Sequence, residues 1–226
     1  MPDFPVIRAR GVQKSYPEAD GRRTVIRGLD LDIHAGEIVA ILGRSGSGKT
    51  TLLNLIGAMG RPTAGSIQFG GRDMSDWSEA ERTVFRRRRL GFVFQAFNLL
   101  PTLTVWENVA LPLELNARPL DDQVLCLLDS LGLAGVRDRF PDQISGGEQQ
   151  RAAIARAVIH QPDLIIADEP TGHLDLESGR EVIDLFEACV RGAGAALVMA
   201  THSREMSGSA DRVLELRDGS LMPVDS

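Results

Sequence analysis

Three uninterrupted runs of apolar residues stand out along the chain, and small or polar residues follow each of them directly. Residues 38–42 read Ile-Val-Ala-Ile-Leu, residues 164–167 read Leu-Ile-Ile-Ala, and residues 195–200 read Ala-Ala-Leu-Val-Met-Ala. Apolar runs of this length are typical of strands that are buried on both faces. From residue 144 onward such runs alternate with helical patterns, which predicts a parallel sheet with helical crossovers.

The first half of the chain has two other patterns. Residues 6–71 are rich in strand patterns, and turn signals at 20–21 (Asp-Gly) and 70–71 (Gly-Gly) predict an antiparallel β layer around one helix. Between residues 97 and 143 the apolar positions recur at helical spacing, above all in 105–115 and 123–131, which predicts a helical subdomain. Because there is no internal repeat, low-complexity segment or linker, we predict a single α/β domain over residues 1–226.

Composition excludes some classes of function. A net charge of −6 argues against a nucleic-acid partner, and the one basic run, residues 86–89, is interpreted as a solvated helix end. No apolar run approaches the ~18 residues that span a bilayer, and the first residues lack an apolar signal region. We therefore expect a cytoplasmic location. Cys126 and Cys189 lack metal-ligand spacing and are expected to be free, buried thiols.

The first candidate for chemistry follows the first apolar run. Residues 43–50 match the pattern Gly-x-x-x-x-Gly-Lys-[Ser/Thr] at every position, between an apolar strand and a helical segment. Gly46 and Gly48 allow backbone N–H groups to turn inward around phosphates. Lys49, one of only two lysines in the chain, is expected to pair with the β- and γ-phosphates, and the Thr50 hydroxyl to bind Mg²⁺. A nucleoside triphosphate is the expected ligand; a Gly/Ser turn with a chance lysine is the weaker alternative.

Polar residues also follow the other apolar strands. A carboxylate at Asp168 can hold Mg²⁺ or its waters, while Glu169 points to the other side of an extended chain and can contact an attacking water. Gln95 offers an amide oxygen to Mg²⁺ or water, and His202 can donate to a γ-phosphate. A structural or solvated strand end is the alternative for each residue, and their ordered occurrence favours the chemical interpretation.

A second glycine-containing motif decides the family. Residues 144–151 read Ile-Ser-Gly-Gly-Glu-Gln-Gln-Arg and precede an alanine-rich helical pattern. With this motif, the chain resembles the nucleotide-binding subunits of ATP-binding-cassette (ABC) transporters over roughly residues 6–219. The resemblance rests on a series of motifs that occur in the family's order: the phosphate loop, Gln95, the motif at 144–151, the acids at 168–169 and the segments 171–175 and 199–202. The resemblance implies a P-loop NTPase core of the ABC ATPase type, ATP and Mg²⁺ as cofactors, and hydrolysis of ATP.

The resemblance also implies a function for individual residues. Those implied in catalysis are Lys49, Gln95, Glu169 and His202, and those implied in holding magnesium are Thr50, Gln95 and Asp168. Those implied to contact ATP are Tyr16, Gly43, Arg44, Ser45, Gly46, Ser47, Gly48, Lys49, Thr50, Thr51, Ser145, Gly146, Gly147 and Glu148. Tyr16 is expected to stack on adenine, with an ordinary half-exposed tyrosine as the alternative.

The motif at Ser145 implies a dimer. In the family two cassettes pack head to tail, and the signature motif of one covers the ATP held by the other. A serine hydroxyl and glycine N–H groups at a helix start form an anion site, which a chain with its own phosphate loop does not need for its own nucleotide. Asp175 then lies in a loop that crosses the interface. The implied partners are a second copy of the chain and a separate membrane permease, at the inner face of the cell membrane.

Details point to one branch of the family. Residues 91–101 and 103–109 resemble the lipoprotein-release and macrolide-export branch (the LolD and MacB type). Glu148 stands where the wider family usually has glutamine, and His173 where this branch usually has asparagine. DNA-repair ATPases are disfavoured because no coiled-coil insertion is present, and translation ATPases because the chain has one cassette. The septum-associated type remains open, whereas a nucleotide sensor without turnover conflicts with the catalytic set.

A permease contact is expected beside the strand that ends at Gln95. Phe97, Leu99 and Leu100 are large apolar residues just beyond this strand end, where exposed apolar side chains often mark a contact surface. The alternative is that they pack beneath the helical subdomain.

Overall fold

Two β-sheets and six helices make up the part of the chain that the computed structural model describes, residues 4–19, 21–120, 122–203 and 210–224. The strands are β1 (Ile7–Glu18), β2 (Gly21–Ile33), β3 (Ile38–Leu42), β4 (Ala64–Phe69), β5 (Arg72–Asp73), β6 (Leu90–Val93), β7 (Leu164–Asp168), β8 (Ala196–Thr201), β9 (Arg212–Arg217) and β10 (Ser220–Pro223). The helices are α1 (Lys49–Ile56), α2 (Glu79–Arg88), α3 (Val105–Leu115), α4 (Gln123–Ser130), α5 (Gly146–Val158) and α6 (Leu176–Ala193), with short 3₁₀ turns at Met74–Asp76, Ala134–Val136 and Pro141–Gln143.

The larger sheet carries the apolar runs of the sequence. Its strand order is β10-β9-β3-β8-β7-β6, and every neighbouring pair is parallel except β9 with β10. Every residue of β3 and β8 is buried, as the uninterrupted runs predict. Since parallel strands end at the same edge, the segments that follow β3, β6, β7 and β8 meet there.

The smaller sheet has the order β2-β1-β4-β5 and is antiparallel throughout. The predicted hairpin at 70–71 joins β4 to β5, with Phe69 opposite Arg72. β1 and β2 form a second hairpin that ends with Glu18 opposite Gly21; Asp20 of the predicted turn lies outside the described residues. The inner face of this sheet and helix α1 share one apolar core with the larger sheet, in which Ile26, Leu52 and Val198 are buried.

Helices α3 and α4 and two of the 3₁₀ turns lie within the predicted helical segment 97–143. Helix α3 has the predicted bounds, and α4 ends one residue early. Their apolar faces pack on α5, with Val109, Leu128 and Ala152 fully buried. No described helix is both long enough and apolar enough to span a bilayer.

Two expectations from the sequence are corrected. Cys189 is half-buried, and burial raises the pKa of its thiol, but Cys126 is exposed because the buried face of α4 is formed by Val124 and Leu128. In the basic run Arg88 is exposed at the helix end, as predicted. Arg86 instead turns inward and donates to the backbone oxygen of Ala58 at 2.9 Å.

Candidate nucleotide site

The phosphate loop connects β3 to α1, and its glycines are required by space and conformation. Gly48 has φ +106°, and a Cβ there would lie 2.7 Å from Cγ1 of Val25. A Cβ on Gly43 would lie 2.6 Å from Oγ of Ser47. Helix α1 begins without a side-chain cap and without an acidic residue in its first turn. Its first N–H groups are therefore available to a phosphate.

Lys49 is the first residue of α1 and is only 5% exposed. Its Nζ donates to the backbone oxygen of Gly43 at 2.8 Å and lies 3.5 Å from Oε1 of Glu169. Two carbonyl oxygens of the loop, those of Gly43 and Arg44, and the Glu169 carboxylate hold this ammonium beside the loop. Phosphate oxygens that enter the loop can form charge-assisted hydrogen bonds with it.

Glu169 lies just past the end of β7, between two cationic or polar neighbours. Its Oε1 faces Lys49, and its Oε2 lies 3.3 Å from Nδ1 of His202. Its backbone has φ +48°, and its N–H donates to the oxygen of Ala200 at 2.9 Å. A left-handed conformation at a residue other than glycine costs about 1–3 kcal/mol, and surrounding structure must hold it. The sequence argument placed Glu169 by strand alternation; the structure orients it through this bend instead.

Asp168 provides the oxygen chemistry that magnesium needs. Burial raises the pKa of its carboxyl, the Thr50 hydroxyl bonded to it opposes this, and the nearby charge of Glu169 raises the pKa further. Carboxylate and hydroxyl oxygens suit Mg²⁺, which keeps several waters and phosphate oxygens among its ligands. The described residues contain no group of three or more His, Cys, Asp or Glu that could cage a metal. The carboxylate of Asp168 and the hydroxyl of Thr50 are oxygen ligands of the kind that suit a magnesium ion bound together with phosphate oxygens.

Gln95 is exposed at the same edge of the sheet, after β6. A Cβ on Gly172 would lie 3.0 Å from its Nε2, and Gly172 donates its N–H to the oxygen of Glu169 at 3.0 Å. The amide of Gln95 thus lies against the turn that follows Glu169. The four residues implied in catalysis all lie at this edge.

A cavity of about 440 Å³ extends from Lys49 and Glu169 to Tyr16. Its lining includes the residues Tyr16, Ser45, Gly46, Gly48, Lys49, Thr50, Thr51 and Glu169. Tyr16 is 43% exposed, and Nζ of Lys14 lies 5.1 Å from the centre of its ring. An aromatic face at one end and an ammonium at the other suit a base and a triphosphate. Arg44 and Ser47 line a larger neighbouring cavity of about 700 Å³ that does not include Lys49.

The signature residues do not line the cavity at Lys49. Ser145 caps helix α5: its Oγ accepts from the N–H of Glu148 at 3.3 Å, and its own N–H donates to Oε2 of Glu148 at 2.8 Å. The bond from the Ser145 N–H, together with one from the Ser145 hydroxyl to the same carboxylate oxygen at 2.7 Å, lowers the pKa of Glu148. The departure from glutamine at Glu148 thus gives a charged member of a capping box. Gly146 and Gly147 form the first turn of the helix that this box begins.

The loop at 171–175 follows Glu169 and reaches the start of α5, where a Cβ on Gly146 would lie 3.8 Å from Cδ2 of Leu174. Asp175 caps α6, with Oδ1 accepting from the N–H of Ser178 at 3.0 Å. The ring of His173 packs edge-on against Phe97, with ring centres 5.9 Å apart. The residue that departs from the branch pattern thus contacts the segment after Gln95.

Two residues of the site region were not singled out by sequence reasoning. Arg156 of α5 donates to the backbone oxygens of Phe97 and Asn98 at 2.9 and 2.7 Å. Asn108 of α3 is fully buried and both accepts from and donates to the backbone of Leu100. Arginine and asparagine on helical patterns usually indicate solvated faces, so no local signal marked either residue.

The expected apolar surface after Gln95 is smaller than predicted. Leu99 packs against the core around α3 and α5, and Phe97 is half-buried. Leu100 is 43% exposed. The alternative of packing beneath the helical subdomain therefore applies to Leu99, and Leu100 remains a candidate contact residue.

Known proteins that are similar to the chain in sequence are ATP-binding proteins of ABC transporters. The family model described as "ABC transporter" matches residues 26–172. The uncharacterized ABC transporter ATP-binding protein Rv0986 of Mycobacterium tuberculosis (strain ATCC 25618 / H37Rv) is 46% identical over 223 residues, which cover 97% of this chain and 90% of that protein. The macrolide export ATP-binding/permease protein MacB of Nitrosomonas europaea is 43% identical over 96% of this chain, which spans 34% of that protein.

Solved structures extend the similarity to three dimensions. A dimeric post-hydrolysis state of the ATP-binding cassette MJ0796, bound to ADP and Pi, superimposes with a TM-score of 0.87 at 35% identity, covering 97% of this chain and 99% of that one. The predicted fold class and the resemblance to the macrolide-export branch are thus confirmed. The chain belongs to the ABC transporter family, as an ATP-binding cassette of the ATPase type.

Proposed function

We propose that the chain is the ATPase subunit of an export-type transporter. It binds ATP with Mg²⁺ in the cavity between Tyr16 and Lys49, pairs head to tail with a second copy around two ATP molecules, and drives a separate permease at the inner face of the cell membrane. Similarity to the macrolide exporter MacB and to the pyoverdine export protein PvdT of Pseudomonas syringae pv. tomato supports a role in export. As the transported material we propose lipoproteins, other envelope molecules or drugs.

One observation carries the proposal: the catalytic and binding groups of one chain converge, while its signature motif lies apart. Lys49 and His202 each lie within ion-pair distance of Glu169, on either side of its carboxylate. Ser145 begins a helix that does not line the cavity at Lys49 and Glu169. A signature motif that does not reach its own nucleotide fits a site completed by a second copy. The dimeric cassette of MJ0796 gives independent support.

The chemistry is the displacement of the γ-phosphoryl group by water. The new bond forms between the water oxygen and the γ-phosphorus, the bond to the bridging oxygen breaks, and ADP leaves with the electron pair. Glu169 accepts the proton of the water, and Lys49 stabilises charge on the phosphate oxygens. His202 holds the Glu169 carboxylate from the other side and can donate to the γ-phosphate. When bound, Mg²⁺ neutralises phosphate charge, and Thr50, Asp168 and Gln95 are the residues that would hold it.

The strongest test combines turnover with assembly. In Glu169→Gln the amide cannot accept the proton, so we expect the hydrolysis rate to fall by about 10²–10⁴-fold. ATP binding should persist, and sedimentation should show a dimer that forms only with ATP, since the shared nucleotide is no longer cleaved. Glu177→Gln, a change of the same kind in the first turn of α6, is the matched control and should leave the rate unchanged. Near-normal hydrolysis by Glu169→Gln, or a dimer without nucleotide, would contradict the proposal.

A further inference from the structure

The backbone between Gln95 and Leu100 has a strained conformation that few hydrogen bonds within the segment stabilise. Phe97 and Asn98 are consecutive residues with φ of +59° and +50°. Within the described part of the chain, the backbone turn bonds of this segment are a 3.2 Å bond from the N–H of Phe97 to the oxygen of Phe94 and a 2.6 Å bond from the N–H of Asn98 to the oxygen of Ala96. Left-handed conformations at two successive residues with side chains persist only where neighbouring elements impose them.

Arg156 contacts both of these residues from helix α5. Its two terminal nitrogens donate to the oxygens of Phe97 and Asn98, the two strained residues. Among the described residues Arg156 forms no ion pair with a carboxylate, so its planar fork is directed at the backbone. Removal of the guanidinium would leave both carbonyls without this donor and the bend without its support.

The same segment touches the opposite end of α5. A Cβ placed on Gly146 would lie 3.9 Å from Cζ of Phe97, so the Phe97 ring reaches the first turn of the helix. Arg156 stands eleven residues after Ser145, a separation of about 16 Å along the axis of a helix. A continuous helix therefore joins the signature serine to the guanidinium that fixes the bend, with Gln95 two residues before Phe97.

We propose that Arg156 is a positioning residue that makes the Gln95 segment move with α5, so that engagement of Ser145 by the partner's nucleotide is transmitted to Gln95. This inference rests on the proposed function, because it requires ATP shared between two copies. Asn108 completes the linkage from α3: it binds the backbone of Leu100 in both directions. The exposed side chain of Leu100, the candidate permease contact, is thus held to the same unit as Gln95.

The test is a double-mutant cycle between Arg156→Met and Gln95→Ala in the full chain, read by steady-state ATPase over a range of MgATP. Methionine keeps most of the apolar stem of arginine and removes the donors. A small displacement of a catalytic group lowers kcat strongly, so we expect Arg156→Met to lower kcat by about 10–100-fold with KM unchanged. Because Arg156 acts through Gln95, the double variant should be no slower than Gln95→Ala alone.

Arg118→Met is the matched control. Arg118 also donates to a backbone oxygen, that of His160 at 2.7 Å, but does not contact the Gln95 segment. It should retain the wild-type kcat. Arg156→Lys keeps the charge but can donate to only one of the two oxygens, so we expect a kcat between those of wild type and Arg156→Met. If Arg156→Met does not fold, Arg156→Lys replaces it in the double-mutant cycle. Equal kcat in the Arg156 and Arg118 variants, or additive effects in the cycle, would overturn the inference.

Assembly separates this inference from the proposed function. With Glu169→Gln in the background, Arg156→Met should still form the ATP-dependent dimer, because Ser145 is intact. If Glu169→Gln itself fails to dimerise with ATP, the proposed function is wrong. If that dimer forms and the cycle is additive, only the role of Arg156 is wrong.

Discussion

The phosphate loop and the signature motif are both glycine-containing helix starts, yet they differ in what occupies the helix N-terminus. Helix α1 follows Gly48, which provides no side-chain cap; its first turn has no acidic residue, and its first residue is the buried Lys49. Helix α5 begins with a complete capping box between Ser145 and Glu148. The first site is open and positive, and the second is internally bonded and carries a carboxylate. The difference is the one that the proposed head-to-tail dimer requires: α1 offers free N–H groups to a phosphate of its own chain, and α5 would meet a nucleotide held by the other copy.

The sharpest way to break this comparison is to obstruct the signature. Ser145→Arg places a long side chain where the partner's γ-phosphate must lie, so we expect dimerisation and hydrolysis to be abolished. ATP binding by the monomer should be unchanged, because Ser145 does not line the cavity at Lys49. Sedimentation with ATP and calorimetric titration measure the two effects. Ser130→Arg, at an exposed position ending α4, is the control. An active Ser145→Arg enzyme would show that α5 is not part of a nucleotide site.

Removal of the cation should have the complementary effect. Lys49→Ala deletes a charged donor to phosphate, worth about 1.5–3 kcal/mol, so the Kd of the monomer for ATP should rise about 10–100-fold. Titration calorimetry at fixed ionic strength measures it. The other lysine of the chain, Lys14, lies by Tyr16, and Lys14→Ala should weaken binding much less. Unchanged ATP affinity in Lys49→Ala would show that the charge of Lys49 does not distinguish the phosphate loop from the signature motif.

Glycine substitutions compare how strongly the two helix starts constrain the stability of the fold. Gly48→Ala forces a Cβ into φ +106° and to within 2.7 Å of Val25, so we expect a loss of about 1–3 kcal/mol in the free energy of unfolding. Gly146→Ala meets nothing closer than 3.8 Å and should leave that free energy nearly unchanged. Denaturant unfolding of both variants without nucleotide gives the two values. Similar losses at both positions would mean that the two helix starts are under similar constraint.

The smallest expected effect is a change in the free energy of unfolding at acid pH. The pKa of Glu148 is lowered in the folded chain, chiefly by the N–H of Ser145 and then by its hydroxyl. The stabilisation from this carboxylate is therefore fully present above the ordinary glutamate pKa of about 4.3 and is lost as pH falls through the lower folded value. Glu148→Gln should lack this acid-dependent loss while keeping the cap. Urea unfolding across the acid range measures it, and identical pH profiles for the two proteins would contradict a charged capping box.

The strands and helices nearest the site followed closely from the sequence. The apolar runs that became β3, β7 and β8 were long, uninterrupted and bounded by polar residues, and α3 was found with its bounds. The prediction was wrong for Cys126 and partly wrong for the basic run at 86–89, because burial depends on which face of a helix meets a neighbour.

The sequence by itself determined the phosphate loop, the order of the motifs and the strand ends that carry them, because each depends on residues that are adjacent along the chain. Only the tertiary structure decided how those ends converge: the contacts of Glu169 with Lys49 and His202 join three different segments. It also decided that Arg156 supports a bend 58 residues earlier. Contacts between distant segments depend on packing in three dimensions, and local patterns of polarity do not encode them.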